Sequence, residues 1–287
     1  MFFLKILSQI FSIKNKIKKE NIWLQNIIDD HNIDIVISDN RFGLHSKKAH
    51  CIFITHQLAI KTGFALSNII VQKINYNYIN KYNECWVPDD GGKNNLAGEL
   101  SHPQNMPSVL VKYIGILSRF KKEEIIKKYD LLILLSGPEP QRSIFEKILL
   151  KQLENLPLKI VLVRGLPNDK KTVILKNVEI YNHLSSSDLN KIILQSEIII
   201  ARSGYTTIMD LATLAAKAIF VPTPGQTEQE YLAGYLFLNK LSISKTQANF
   251  NIENALQEIK TTTLSPFQIT SNLALQNAIT HLQQKFL

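Results

Sequence analysis

Hydrophobic positions along this chain fall into two alternating rhythms, clearest in its second half. Short β-branched runs at residues 131–135, 159–163, 178–181, 198–201 and 218–221 read as strands. Among them, apolar residues recur at helical spacing over 141–153, 187–194, 207–216 and 228–238. This alternation predicts a doubly wound α/β domain, which binds ligands beyond the carboxyl ends of its strands. Two further helix patterns, separated near Pro266, fill residues 251–287.

The first half is less regular. Phe3, Ile6, Leu7, Ile10, Ile13, Ile17, Leu24 and Ile27 mark one long amphipathic helix, with lysines largely opposite. Strands follow at 34–38, 51–55, 84–87 and 109–113, with helical material at 66–81. The stretch 117–122 reads as a linker, which divides the 287 residues into domains 1–117 and 118–287. A ligand cleft is expected between them.

Composition narrows the class. A chain with 45% hydrophobic and 20% charged residues is an ordinary soluble one, and no apolar run approaches the roughly 18 residues that span a bilayer. Cys51 and Cys85 sit in apolar runs whose spacing suits neither zinc nor a disulfide framework, so a cytoplasmic location is expected. The net charge of +9 admits nucleic acid, an anionic membrane or an anionic substrate. Neither zinc-finger spacing nor an aromatic-and-basic RNA motif is present, so no nucleic-acid partner is expected. The lysines are scattered except for Lys14, Lys16, Lys18 and Lys19. Lys5 and Gln9 interrupt the first apolar segment, which makes it a poor signal peptide. Its first reading is a helix packed on a sheet; its second is a peripheral helix at the inner face of a membrane.

Candidate chemistry concentrates in residues 196–233, where an apolar run twice ends in a turn that opens directly into a helix. Free N–H groups at such helix starts favour phosphates. Ser203, Gly204, Tyr205 and Thr206 form the first turn: Gly204 lets a diphosphate approach the backbone, and Ser203 and Thr206 add hydroxyls. Plain capping of the helix is the alternative. One helical turn on, Asp210 has a carboxylate suited to accept both hydroxyls of a ribose, or simply to favour the helix dipole. The turn at 222–225 ends in Gly225, and Gln226, Thr227, Glu228, Gln229 and Glu230 open the next helix. Ser136, Gly137, Gln141 and Arg142 form a weaker phosphate loop, because Pro138 and Pro140 remove two N–H donors. Arg164 is a nucleotide candidate or an ordinary surface arginine. In the first half, Asp39, Asn40 and Arg41 follow one strand end, and His56 and Gln57 another; His56 is an acceptor-side base or merely structural. Pro88 and Gly91 make a turn of the Asp89–Asp90 pair, and neither metal nor cofactor is expected.

The segments S-G-Y-T-T-I-M-D-L (203–211) and P-T-P-G-Q-T-E-Q-E-Y-L-A (222–233) resemble the donor site of the two-Rossmann-domain (GT-B) glycosyltransferases. The similarity is to the family-28-like group that contains the peptidoglycan N-acetylglucosaminyltransferase. It extends to V-I-S-D-N-R-F-G-L (36–44), F-I-T-H-Q-L (53–58), N-E-C-W-V-P-D (83–89) and L-S-G-P-E-P-Q-R (135–142). The resemblance implies a GT-B pair whose N-terminal domain is incomplete, because that family's first strand and glycine- and histidine-containing loop have no counterpart here. It implies metal-independent, inverting transfer from a UDP-sugar donor to an acceptor hydroxyl, lipid- or glycan-linked. Ser203, Gly204, Tyr205, Thr206 and Thr207 would then hold the leaving diphosphate and Asp210 the ribose. Gln229 and Glu230 would face the donor sugar, and His183 would lie near the uracil. A sugar-nucleotide epimerase of the same fold, or a nucleotide-sugar-binding protein without catalysis, are the alternatives.

Overall fold

The apolar runs pair as parallel strands in two separate sheets. A computed structural model describes residues 2–62, 65–154, 156–169, 173–269 and 273–286. The chain divides into unit 1 (Met1–Asn95, Glu99–Gly115 and Ser271–Leu287) and unit 2 (Leu96–Gly98 and Ile116–Thr270).

Unit 1 contains α1 (Phe2–His31), β1 (Ile35–Asp39), β2 (His50–Ile54), α2 (Ala65–Ile79), β3 (Glu84–Val87) and β4 (Leu110–Tyr113). Its strands lie in chain order, β1-β2-β3-β4. Cys51, Phe53, Cys85 and Val87 pack with Leu24 and Ile28 of α1 and Ile79 of α2. Both cysteines are free and buried.

The long helix departs from the expected continuous stripe. Leu24 and Ile28 are buried, but Ile13, Ile22 and Trp23 are more than half exposed. The side chains of Phe3, Ile6, Leu7 and Ile10 lie outside the described residues. Polar ties explain where docking begins. Glu20 pairs with Arg41, Asn21 Nδ2 donates to the Gly43 and His45 carbonyls, and Lys48 pairs with Asp29. Gly43 permits this close approach, because a Cβ there would stand 2.6 Å from the Ile17 carbonyl oxygen.

Unit 2 contains β5 (Tyr129–Leu134), α3 (Gln141–Leu153), β6 (Ile160–Val163), β7 (Val178–Tyr181) and α4 (Ser186–Leu194). It continues with β8 (Ser196–Ala201), α5 (Tyr205–Thr213), β9 (Lys217–Phe220), α6 (Thr227–Leu238), β10 (Ile243–Ser244) and α7 (Ile252–Thr261). The strand order β10-β9-β8-β5-β6-β7 is doubly wound, and its direction reverses between β5 and β8. β10 is too short to show as a sequence pattern. Leu131, Ile133, Leu162, Ile198, Ile200 and Ile219 are buried in this sheet, and α3 lays Phe145 and Leu149 on it.

The last helix, α8 (Leu273–Phe286), corrects the expected division, since residues 271–287 group with unit 1 rather than unit 2. Its Ala278 and Leu282 are buried, and the Phe286 ring lies 5.0 Å from that of His50. An amphipathic pattern specifies that a helix needs an apolar surface, not which surface.

Candidate functional site

Unit 2 places three helix starts at and beside its switch point. α3, α5 and α6 follow β5, β8 and β9, and their N-cap residues Pro140, Gly204 and Gln226 make no side-chain capping bond. Ser185 and Asn251, in contrast, cap α4 and α7. An α-helix has no internal acceptors for its first-turn N–H groups, so an uncapped start is a ready anion site; at α3, however, the Ser143 N–H already donates to Glu139 Oε2 at 3.2 Å. Gly204 has an ordinary backbone (φ −69°, ψ 139°), and a Cβ built on it would meet nothing within 4 Å. The fold therefore does not require glycine there; the glycine leaves open space in front of α5. Gly137 (φ +100°) and Gly225 (φ +79°) do occupy backbone regions that favour glycine.

Side chains knit these loops together. Ser203 Oγ donates to the Gln229 carbonyl at 2.8 Å, so this hydroxyl ties α5 to α6 rather than capping either helix. Gln229 Oε1 accepts from the Thr223 N–H at 2.9 Å, and its Nε2 donates to Gln226 Oε1. The exposed Glu230 accepts the Gly225 N–H at 3.0 Å. Arg202, one residue before Ser203, is buried, and its guanidinium bonds the carbonyls of Gln141, Val221 and Pro222. Tyr205 is also buried.

Beside this junction lies a cavity of about 310 Å³, whose walls include Ser136, Gly165, His183, Thr206, Thr207 and Asp210. Asp210 is only 7% exposed and accepts a 2.6 Å hydrogen bond from Ser118 Oγ. Burial pushes its carboxyl pKa up, while the Ser118 bond and the charge of Arg119 oppose the shift. Hollows of about 550 and 750 Å³ open at the amino ends of the strands, around Asp130 and Leu158. They are larger, but neither reaches these helix starts, and chemistry selects the smaller one.

Arg164 departs from the expected ligand-facing or surface arginine. It is buried and paired with Glu146 at 2.5 Å, and it donates to Asn182 Oδ1 at 2.8 Å. Arg142 shares Glu146 at 3.1 Å and also pairs with Glu139, so both guanidiniums are held by carboxylates of this chain. Sequence reasoning left Ser118, Arg119, Glu146, Arg202 and Thr223 unassigned. Arg202 carried a signal, being a cation at the end of an otherwise apolar strand run.

In unit 1, the loops after β1 and β2 carry the other candidates. Asp39 pairs in register with Ile54, which brings these strand ends side by side. Asp39, Asn40 and Arg41 are exposed, and the Arg41 charge is paired with Glu20. His56 is half-buried, and the Gln57 N–H donates to Thr55 Oγ1. Asp89 is buried and accepts from Ser101, whereas Asp90 accepts the Gly92 N–H in a turn. No group of three or more potential metal ligands occurs among the described residues.

Residues 121–284, more than half of the chain, match the model of the glycosyltransferase family 28 C-terminal domain. Over 122 residues the chain is 34% identical to the UDP-N-acetylglucosamine--N-acetylmuramyl-(pentapeptide) pyrophosphoryl-undecaprenol N-acetylglucosamine transferase of Buchnera aphidicola subsp. Schizaphis graminum (strain Sg). That match spans 40% of this chain but only 33% of the relative. Among solved structures, the glycotransferase of kitacinnamycin superposes with a TM-score of 0.65 at 12% identity, over 96% of this chain and 78% of that one. MurG of Acinetobacter baumannii gives 0.51 at 12% identity, over 94% and 76%. At such identities these structural likenesses establish the fold.

Proposed function

The chain belongs to glycosyltransferase family 28, and on that premise we propose that it transfers a sugar from a UDP-sugar donor to an acceptor hydroxyl. Unit 2 holds the donor. The starts of α3, α5 and α6 take the diphosphate, Asp210 accepts the ribose hydroxyls within the cavity, and Gln229 and Glu230 orient the sugar. The acceptor oxygen attacks the anomeric carbon, the bond from that carbon to the diphosphate breaks, and UDP leaves with inversion. His56, on the loop after β2, takes the acceptor proton, and Asp39, Asn40, Arg41 and Gln57 form the acceptor side. Helix-start donors stabilise the leaving diphosphate, so the reaction needs no metal. The relative's printed name makes a lipid-linked acceptor the preferred class. The lysines and exposed apolar side chains of α1 suit contact with the cytoplasmic face of an anionic membrane.

The observation that carries this reading is the open space at Gly204 in front of an uncapped α5. Thermal stability should rise with UDP more than with ADP, GDP or TDP. Gly204→Ala should cost the free protein no more than about 1 kcal/mol. The same methyl group should weaken UDP binding at least about tenfold, or about 1.4 kcal/mol. Equal UDP binding by both proteins would move the diphosphate away from α5. Epimerised or free sugar formed without an acceptor would replace transfer by epimerisation.

A further inference from the structure

Arg202 is 1% exposed, yet among the described residues no carboxylate lies within 4.0 Å of its guanidinium. Every other buried arginine of unit 2 is paired: Arg142 with Glu139 and Glu146, and Arg164 with Glu146 and Asp169. Arg202 is held by oxygens that carry no charge. Nη1 donates to the Val221 and Pro222 carbonyls at 3.0 and 3.1 Å, and Nη2 donates to the Gln141 carbonyl at 3.1 Å and to Gln247 Oε1. The guanidinium stacks over the Phe145 ring at 4.4 Å, and its Nε has no acceptor. Burial lowers its pKa to about 10, so it remains charged at neutral pH.

A buried charge without a counter-ion is costly, and a fold retains one where something else uses it. The carbonyls bound here mark the site. Gln141 is the first residue of α3, Pro222 begins the loop leading to α6, and Arg202 itself leads into α5. Thr223 Oγ1, also buried without a partner, lies 3.6 Å from where a Cβ of Gly137 would stand, so the loops after β5 and β9 meet at this point. We propose that Arg202 is the positioning residue of the diphosphate site. It cross-links the loops that present the three helix starts, and its unbalanced charge makes the junction select a diphosphate over the bare nucleoside.

This inference rests on the donor reading above, and the two can fail separately. Calorimetry would measure uridine and UDP binding to the wild type, Arg202→Lys and Arg202→Met. The preference for UDP over uridine should fall about tenfold or more in the Met variant, a loss of about 1.4 kcal/mol. It should fall roughly threefold in the Lys variant, whose ammonium keeps the charge but not the planar fork. Uridine affinity should stay within about twofold in both, a change that a merely structural role would not spare. If the Met variant does not fold, the Lys variant answers the same question. An unchanged preference in the folded variants, or equal losses of uridine and UDP affinity, would overturn the role of Arg202. A wild type that binds neither probe would instead overturn the donor reading itself.

Discussion

Burial raises the proton affinity of the Asp210 carboxyl, with Ser118 and Arg119 opposing the shift. In the folded protein this group therefore binds its proton above the ordinary aspartate value of 3.8. Between that value and the raised one the folded state holds more protons than the unfolded, so this contribution to stability falls as pH rises. Above the window, the buried charge is a standing cost. Asp210→Asn removes the cost and keeps an acceptor for Ser118, so the free protein should melt no lower than wild type at neutral pH. Nucleotide binding makes the opposite demand, because the ionised form is the stronger acceptor of ribose hydroxyls. The Asn variant should lose roughly tenfold to a hundredfold in UDP affinity, in line with about 1.5–3 kcal/mol for a hydrogen bond to a charged group. Wild-type UDP affinity should decline on acidification at a higher pH than an ordinary aspartate would set. Melting curves and titrations across pH separate the two effects, and a variant that loses stability while keeping affinity would contradict both assignments.

At the scale of elements, α1 is a helix of two characters. From Glu20 onward its polar side chains and Leu24 and Ile28 bind it to unit 1. Before Glu20, the side chains of Ser12, Ile13, Lys14, Asn15, Lys16, Lys18 and Lys19 are exposed. These lysines support no ion pair among the described residues, so charge reversal at Lys14 and Lys18 should alter stability by less than about 0.5 kcal/mol. The proposed membrane contact nevertheless depends on them. Wild-type protein should sediment with anionic vesicles at low salt and release as salt screens the attraction. The doubly reversed variant should remain in the supernatant. Binding that ignores both salt and the reversal would leave no electrostatic part for this helix.

For the whole molecule, the return of α8 to unit 1 means that the two units are not consecutive pieces of chain. Phe286 covers His50, whose neighbour Glu84 is buried and bonded to Lys112 at 2.8 Å and to the Trp86 indole N–H at 2.8 Å. Removing residues 273–286 would open this cluster to water while leaving every proposed donor contact in place. The shortened protein should melt in a first transition of unit 1 at lower temperature, with UDP still raising a second transition of unit 2. A single transition that UDP no longer moves would show that the donor site depends on α8.

Much of this molecule was legible without coordinates. The runs at 131–135 and 198–201 became β5 and β8 within a few residues, because a strand buried on both faces must be apolar throughout. The turn at Gly225 also stood out, since a positive φ at a strand-to-helix junction follows local backbone rules. Local pattern could not assign partners. Ser203 reads as a phosphate-binding hydroxyl or a cap, and its Oγ bonds the Gln229 carbonyl; Arg164 reads as a ligand contact or surface charge, and it is buried and shares Glu146 with Arg142. Ser118 meets Asp210 from 92 residues away. The sequence by itself determined most of the elements, the parallel pairing of the second half and the loops that bear the candidate chemistry, because periodicity and turn preference act between near neighbours. Tertiary structure alone decided which charges are paired, which hydroxyls are spent and where α8 docks, because those depend on residues that only the closed sheet brings together.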